Sequence, residues 1–324
     1  MHTPRLIAPL TSLRGLAAIG VAGFHFFYSM LQTAQFARGY LGVDLFFLLS
    51  GFILFHVYHA DLSPRAFFAA RIARTWPLHL FVLLLLLPAF GRSEAFSATA
   101  LLCNLTMTQA VCGVSSSWNG VSWSLSAEWF AYLLFPLLLP WLRGCSSRGA
   151  WTIALVCLAA LAAQGNSLLA IFGPLALARS LPEFVLGILT YRAYQGGWLG
   201  GWPWFTVACA SIALSFEFGA PDWLIVAQFP IVLLSGPGVQ PLTWRPFVFL
   251  GEISFSLYMI HQLIGLVVIN VLPHNTTRSV LVGAIVSLVL SIGCSALIYR
   301  TIEVPARSFL RSRLAHDIST RTVQ

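Results

Sequence analysis

The chain alternates between long apolar runs and short polar stretches. An α-helix needs about 20 predominantly apolar residues to cross about 30 Å of hydrocarbon, and several runs approach that length. The pattern therefore predicts an all-α polytopic integral membrane bundle of about ten transmembrane helices. The predicted helical segments are 12–32, 40–60, 76–90, 126–142, 149–165, 180–196, 203–218, 223–236, 250–272 and 280–300.

The composition strengthens this prediction. Hydrophobic residues make up 58% of the 324 positions and charged residues 9%, which no soluble domain of this size resembles. The net charge of +8 comes from arginine alone, since the chain contains no lysine. Basic residues in such a protein report its orientation, and no basic stripe alternates with aromatic residues, so nucleic acid is not a predicted partner.

The positions of the arginines predict the orientation. With a cytoplasmic N-terminus and ten crossings, fourteen arginines fall on the cytoplasmic side and four outside, which satisfies the positive-inside rule with both termini in the cytoplasm. The outer four are Arg38, Arg92, Arg179 and Arg278. The first apolar run lacks a cleavage site and is predicted to be retained.

Segment 95–111 does not fit the simple pattern. It carries Ser, Thr, Asn and Gln throughout, so it is predicted to be an interfacial or re-entrant piece buried by protein. Cys103 and Cys112 share this loop, which is predicted to lie outside the cytoplasm. A disulfide between Cys103 and Cys112 is one alternative, and two separate thiols are the favoured interpretation.

Arg14 and His25 lie eleven residues apart in the first apolar run. On an ideal helix they share one face to within about 20° and are about 16 Å apart. Intramembrane ionisable residues usually mark functional sites, whereas a snorkelling arginine and a histidine bonded to a neighbouring helix are the structural alternative. Arg71 and Arg74, predicted to project together from a short helix in the next cytoplasmic loop, suit a phosphate group or lipid headgroups.

Two acids lie in apolar runs. Asp44 is predicted either to cap the second helix or to act as a functional partner. Glu128 is predicted to bind a sugar hydroxyl, to orient a histidine or to pair with an arginine. Ser50 lies in mid-span, where small residues usually allow close helix packing. Trp123 suits either a saccharide platform or an interfacial belt.

A polar stripe marks the ninth predicted helix. Ser254, Tyr258 and His261 recur at four and three residues and therefore share one face, which must look into a cavity or towards another helix. Pro305 is predicted to end the tenth helix at the cytoplasmic edge, where Glu303 can pair with a nearby basic residue.

The distance from Arg14 to His25, calculated from the helical rise, is comparable with the length of an extended pantetheine arm. A phosphate held at the cytoplasmic edge would then present a thioester beside His25. An imidazole can take up a proton near neutral pH, so His25 is predicted to be the general base for an attacking hydroxyl. Direct transfer and a covalent acyl-histidine relay both remain open.

The chain resembles the membrane-bound acyltransferase 3 family, which includes bacterial O-antigen and exopolysaccharide O-acetyltransferases. The resemblance runs from about residue 10 to residue 307. It rests on six features in order and spacing: the Arg14/His25 pair, GVDLFFLLSGF at 42–52, Arg71/Arg74, WSLSAEW at 123–129, LGEISFSLYMIH at 250–261 and E-V-P at 303–305. The family's other common form carries an added SGNH hydrolase-like domain, and the stand-alone form is expected here.

The resemblance implies an O-acyltransferase that moves acetyl from acetyl-CoA, or another acyl-CoA, to a hydroxyl of a carbohydrate such as a cell-surface polysaccharide. It implies an essential His25 and a donor held by Arg14, Arg71 and Arg74. Asp44 or Glu128 is expected to orient or balance His25. The expected cavity-lining residues are Ser50, Trp123, Ser254, Tyr258 and His261. No metal is expected.

The remaining expectations concern organisation and rival functions. A transmembrane acyltransferase domain is expected over 1–307 in the bacterial cytoplasmic (inner) membrane, with a short cytoplasmic tail over 308–324. The main rival is a secondary transporter that uses His25 and Glu128 as proton-relay groups, although no internal repeat supports it. A scaffold or sensor without turnover is the other alternative, and it would tolerate truncation of His25.

Overall fold

The structure, a computed structural model, describes residues 3–197 and 200–321, and every regular element in these ranges is helical. The α-helices are α1 (Thr3–Gly23), α2 (Gly42–Tyr58), α3 (Pro64–Leu86), α4 (Ala98–Leu105), α5 (Trp123–Gly144), α6 (Ser147–Ala162), α7 (Ala176–Gln195), α8 (Trp202–Glu217), α9 (Asp222–Val226), α10 (Phe229–Ser235), α11 (Arg245–Glu252), α12 (Ser254–Val271), α13 (Thr277–Ile298) and α14 (Val304–Arg321). Two π-helical turns, Phe24–Tyr28 and Tyr299–Glu303, continue α1 and α13.

All ten predicted apolar segments coincide with helices, which confirms the all-α membrane bundle. Six helical stretches of the described residues are long and apolar enough to cross a membrane by length and composition. They are Ala8–Leu31, Ala34–Tyr58, Pro64–Ala89, Gly120–Gly144, Ser254–Val271 and Thr277–Leu310. Two shorter apolar stretches, Ser147–Ala162 and Asp222–Gly238, lie between them in the chain.

The third helix begins earlier than its apolar run. The sequence predicted a helix from residue 76, but α3 begins at Pro64, directly after Ser63. Proline is well tolerated in the first turn, and the alanine-rich stretch that follows has high helix propensity. Arg71 and Arg74 therefore lie inside a long helix, one turn apart, and not on a short helix in a loop.

Pro305 does not end the last helix, contrary to the prediction. The π-helical turn Tyr299–Glu303 precedes it, and the backbone N–H of Val304 bonds to Tyr299 O. Pro305 then occupies the second position of α14, where a missing N–H costs little. The segment 308–324, predicted as a tail, is helical as far as Arg321, and 322–324 lie outside the described residues.

The polar segment 95–111 enters the bundle without crossing it. Its helix α4 has eight residues, too few to span a membrane. Asn104 Nδ2 donates to Ser117 Oγ at 2.9 Å and Gln109 Nε2 to Ser122 O at 2.8 Å, all within a buried interior. Protein groups thus bind most of the buried polar atoms of this segment, although Gln109 Oε1 has no hydrogen-bond partner. Cys103 and Cys112 are free thiols, as favoured.

Close contact between α2 and α7 positions the centre of the bundle. A Cβ on Gly51 would lie 1.9 Å from Phe184 O, and a Cβ on Gly187 would lie 2.0 Å from Leu48 O. Only glycine permits this backbone approach, which agrees with the packing role of small residues in mid-span. The two helices consequently bring Asp44 and Arg179 into direct contact.

The arginines separate towards two ends of the bundle. At one end, which we call the inner end, Arg143 Nη2 donates to Ala60 O and Arg192 Nη2 to Cys145 O, joining the ends of α2, α5 and α7. At the opposite, outer end, Arg38 pairs with Asp222 at 2.7 Å. This division matches the predicted inner and outer sets for all of these arginines.

Candidate active site

A cleft of about 820 Å³, including its open mouth, lies on the inner side of the bundle centre, and we call it the inner cleft. It is bounded mainly by α1, α2, α3, α5 and α12. Seven predicted site residues line it: Arg14, Ser50, Arg71, Arg74, Glu128, Ser254 and Tyr258. The fold thus collects residues from five helices that lie far apart in the sequence.

The three arginines make this cleft cationic. Aromatic rings support two of them: the Arg71 guanidinium carbon lies 5.7 Å from the centroid of the Tyr132 ring, and that of Arg74 lies 5.5 Å from the Phe255 centroid. Among the described side chains, neither Arg14 nor Arg71 forms a salt bridge. Their donors are therefore available for a bound anion.

Arg74 is held in place by Glu303 of the E-V-P motif at 303–305. Its Nη1 donates to Glu303 Oε1 at 3.0 Å, and Ser256 Oγ donates to Glu303 Oε2 at 2.7 Å. Glu303 is 2% exposed and lies in the second π-helical turn. The expected pairing of Glu303 with a basic residue is confirmed, and Arg307 lies further from the same carboxylate, at 3.8 Å.

Glu128 belongs to the inner cleft and does not orient His25. Ser50 Oγ donates to Glu128 Oε1 at 2.6 Å, and the carboxylate interacts electrostatically with Arg14. Glu128 lies more than one helical turn beyond Trp123 along α5, on the inner side, whereas His25 lines a different cavity. None of its three predicted roles is observed: Glu128 does not contact His25, forms no salt bridge to an arginine among the described side chains, and has the Ser50 hydroxyl as its hydrogen-bond partner.

His25 lines a second cavity of about 480 Å³, which we call the outer cavity. The histidine is half-buried in the π-helical turn Phe24–Tyr28, where Ser29 N–H bonds to Phe24 O. Such turns occur often at functional sites, because they displace a side chain from the regular helical path. The other polar or aromatic residues that line the cavity include Tyr40, Trp123, Arg179, Tyr258 and Gln262.

Val43 and Tyr258 line both cavities, so they form the wall between them. The Tyr258 hydroxyl donates to Val121 O at 2.9 Å and lies 2.7 Å from Ser124 Oγ. The helical spacing of Arg14 and His25 suggested a shared cavity, but the two residues line different cavities. Val43 and Tyr258 lie between these cavities.

Asp44 neither caps a helix with its side chain nor contacts His25. It forms two parallel bonds to Arg179: Nε to Oδ1 at 2.7 Å and Nη2 to Oδ2 at 2.6 Å. The pair is buried, and the Arg179 guanidinium carbon lies 5.4 Å from the centroid of the Trp123 ring. Asp44 thus acts on the outer cavity through Arg179.

Arg179 is the residue that the sequence interpretation placed wrongly. It was assigned to an outer loop, but it lies inside α7, 2% exposed, with Glu183 one turn further along the same helix, fully buried. An arginine and a glutamate four residues apart within an apolar helix were the signal, because such residues usually face the interior of a bundle. Arg179 thus stays on the outer side, as predicted, but inside the bundle instead of in a loop.

The partner of His25 is His261. His261 Nε2 lies 3.1 Å from His25 Nδ1, and the ring centroids are 4.9 Å apart. His261 is completely buried and, unlike the other predicted lining residues, lines neither cavity. Asp44 or Glu128 was expected to orient His25, but the side chain within hydrogen-bond distance of the His25 imidazole is His261.

No group of three or more His, Cys, Asp or Glu side chains suited to a metal ion occurs among the described residues. The site therefore consists of a cationic cleft, a wall, and an imidazole in a second cavity.

A family model and several known proteins match most of this chain. Residues 8–300 match the model of the acyltransferase 3 family, described as an acyltransferase domain. The acyltransferase MdmB of Streptomyces mycarofaciens is 28% identical, over 81% of this chain and 80% of that protein. A viral relative, the putative acetyltransferase ORF330 of Acidianus two-tailed virus, is 24% identical over 78% of this chain and 82% of its own.

A third relative is the O-acetyltransferase OatA of Staphylococcus aureus, 24% identical over 95% of this chain and 58% of the longer protein. The match thus spans little more than half of OatA. No solved structure matches the chain. Because the family model covers nearly the whole membrane bundle and both cavities, this chain belongs to the membrane-bound acyltransferase 3 family.

Proposed function

We propose that this protein is an integral-membrane O-acyltransferase that moves an acyl group, acetyl in the first instance, from acyl-CoA to a hydroxyl of a carbohydrate acceptor. The observation that carries the proposal is the two-cavity arrangement. Three arginines line the inner cleft, His25 lines the outer cavity, and Tyr258 lines both. This arrangement suits a donor bound from the cytoplasm and an acceptor bound from the other side.

The inner cleft fits the donor because CoA carries phosphate groups. Guanidinium groups bind phosphate through paired, charge-assisted hydrogen bonds. Arg14 and Arg71 have no carboxylate partner among the described side chains, and Glu303 holds Arg74. In this proposal the three arginines hold the phosphates, and the pantetheine arm extends towards the wall formed by Val43 and Tyr258.

The chemical step belongs to His25. Its unprotonated nitrogen takes the proton from the acceptor hydroxyl while the hydroxyl oxygen attacks the thioester carbonyl carbon. The C–S bond then breaks, and the imidazolium returns the proton to the sulfur, so that an ester and a free CoA thiol are formed. The same nitrogen would carry the acyl group in the acyl-histidine route, which ends in the same products.

The outer cavity fits a carbohydrate acceptor. Trp123 offers an aromatic face, while Tyr40 and Gln262 add polar groups around His25. The positive charge of Arg179 is offset by the bidentate Asp44 carboxylate, so the cavity favours a neutral polyol over an anion. A cell-surface polysaccharide of the bacterial inner-membrane assembly route is the acceptor that this orientation suits.

Thiol release from acetyl-CoA by the purified protein, with membrane saccharide extracts as acceptor, tests the proposal. Wild type should release thiol and form an ester, and His25→Ala should lower the rate by at least about 100-fold, since general-base catalysis supplies about 10²–10⁴-fold. His274→Ala, at an exposed histidine beyond α12, is the matched control and should keep full activity.

The rival transport function predicts the opposite result. A transporter that uses His25 and Glu128 would release no thiol from acetyl-CoA and would show no stabilisation by CoA. Such an outcome for the folded wild-type protein would overturn the acyltransferase proposal.

A further inference from the structure

His261 is a fully buried histidine that the chemical step described above does not use. Its Nδ1 lies 2.8 Å from Tyr258 O and 3.2 Å from Leu257 O, both backbone carbonyls of its own helix, α12. Carbonyl oxygens only accept hydrogen bonds, so Nδ1 of His261 must carry a hydrogen. In the neutral ring its Nε2 is then an acceptor, and this is the atom that faces His25.

The same reasoning fixes the proton on His25. Its Nδ1 lies 3.0 Å from Val21 O and 3.1 Å from His261 Nε2. Both neighbours are acceptors, so His25 Nδ1 carries the hydrogen and shares it between them. The unprotonated nitrogen of His25 is therefore Nε2, which is free to receive a proton from the outer cavity that His25 lines.

From this network we infer that His261 is the positioning residue of the reaction: it accepts from His25 Nδ1–H, keeps Nε2 as the basic nitrogen, and stabilises the imidazolium formed when Nε2 takes the acceptor's proton. The inference rests on the proposed function. When Nε2 gains its proton, the bond from Nδ1–H to His261 becomes charge-assisted and roughly doubles in strength. His261 thus stabilises the state that follows proton transfer more than the state that precedes it.

The surroundings of His261 hold its ring in this orientation. The Phe26 ring lies edge-on to the His261 ring, with the ring centroids 6.0 Å apart. The two carbonyl oxygens near His261 Nδ1, Leu257 O and Tyr258 O, belong to the preceding turn of α12. Gly265, one turn further along α12, gives Phe26 its room, because a Cβ there would lie 2.7 Å from Phe26 Cε1. The acceptor atom is therefore fixed before any substrate binds.

Paired substitutions separate positioning from packing. His261→Phe fills the space but offers no acceptor, whereas His261→Gln can place its amide oxygen where Nε2 lay. We expect kcat to fall by about 10- to 100-fold in His261→Phe, the range for the loss of a hydrogen bond to a charged group, with KM for acetyl-CoA unchanged. His261→Gln should recover most of the rate.

His79 supplies the control for removal of a buried histidine. It is 1% exposed, bonds to the backbone carbonyl of Asn104 at 2.9 Å and lines neither cavity. His79→Phe should leave kcat within about twofold of wild type if the protein folds, while His261→Phe should not. Equal kcat values for folded wild type and His261→Phe would overturn the inference.

A chemical measurement tests the inference independently of turnover. Diethyl pyrocarbonate transfers an ethoxycarbonyl group to an unprotonated imidazole nitrogen, and peptide mass spectrometry reports the rate at His25. We expect His25 to react several-fold more slowly in His261→Phe than in wild type, and His261→Gln to resemble wild type. Equal labelling rates in all three proteins would refute the role of His261, whereas absent turnover in wild type would refute only the proposed function.

Discussion

At the residue scale, the arginines of the inner cleft differ in how they are held. Arg71 is the arginine most available to a ligand, because its guanidinium rests on the Tyr132 ring and its Nε has no hydrogen-bond partner. Arg74, in contrast, is fastened to Glu303. A buried donor without a partner costs free energy, so a bound phosphate would relieve that cost at Arg71.

Replacing Arg71 should therefore weaken donor binding. For Arg71→Ala we expect KM for acetyl-CoA to rise by about 10- to 100-fold with little change in kcat, since a phosphate contact is made equally in the ground and transition states. Steady-state kinetics measures both constants. Arg65→Ala, at an exposed arginine of the same helix, is the control, and an equal rise in its KM would show that Arg71 contributes only surface charge.

Glu303 should affect the donor through Arg74. In Glu303→Gln the guanidinium loses its ionic partner and its fixed position, so we expect KM for acetyl-CoA to rise by about threefold to tenfold, a smaller effect than removing an arginine. Glu217→Gln, at the exposed end of α8, is the matched control. An unchanged KM in Glu303→Gln would mean that the carboxylate serves folding alone.

At the scale of elements, the bundle is joined by close helix contacts and by the buried Asp44–Arg179 ion pair. Gly51 and Gly187 let α2 and α7 touch along their backbones, and the Asp44–Arg179 pair links the same two helices. The two π-helical turns hold His25, which lines the outer cavity, and Glu303, which binds Arg74 of the inner cleft. Both turns thus carry residues of the candidate site.

Breaking the buried pair should destabilise the fold strongly. Asp44→Asn removes the bidentate carboxylate partner of the buried Arg179 guanidinium, and breaking such a buried pair typically costs about 3–5 kcal/mol. Thermal unfolding in detergent should show a clearly lower midpoint, whereas Asp61→Asn, at an exposed position, should not change it. Adding Arg179→Met to Asp44→Asn should restore part of the loss. An unaltered midpoint in Asp44→Asn would contradict this assignment.

At the scale of the whole molecule, the fold places a cationic cleft on one side of a thin wall and an imidazole on the other. The inner end carries Arg143 and Arg192, and the outer end carries the Arg38–Asp222 pair. The positive-inside rule then predicts that the inner cleft faces the cytoplasm, and the proposed acyl-CoA donor would reach it from there. The reaction would accordingly move an acyl group across the membrane.

Sidedness of labelling tests this orientation. In a background without native cysteines, Asn275→Cys, in the loop between α12 and α13, should react with an impermeant maleimide added outside intact cells. Ser147→Cys, at the exposed start of α6, should react only after the membrane is permeabilised. The reverse pattern would place the arginine cleft outside and remove the access of cytoplasmic CoA to it.

The sequence by itself determined the membrane class, the ten apolar segments and the three arginines that line the inner cleft. Apolar length and arginine bias are properties of each segment alone, so they need no knowledge of neighbours. Helix ends were less well predicted at Pro64 and Pro305. Proline interrupts a helix in its interior but is well tolerated in the first turn, and both prolines lie in first turns. The π-helical turns left no sequence signal that we could use.

Only the tertiary structure decided which side chains meet. Asp44 pairs with Arg179 across 135 positions, and His25 meets His261 across 236. The periodicity of one helix predicts which of its residues face the interior of the bundle. It does not predict which residues of other helices they contact, because that depends on how the helices pack. The division of Arg14 and His25 between two cavities has the same cause: the wall between them belongs to other helices, α2 and α12.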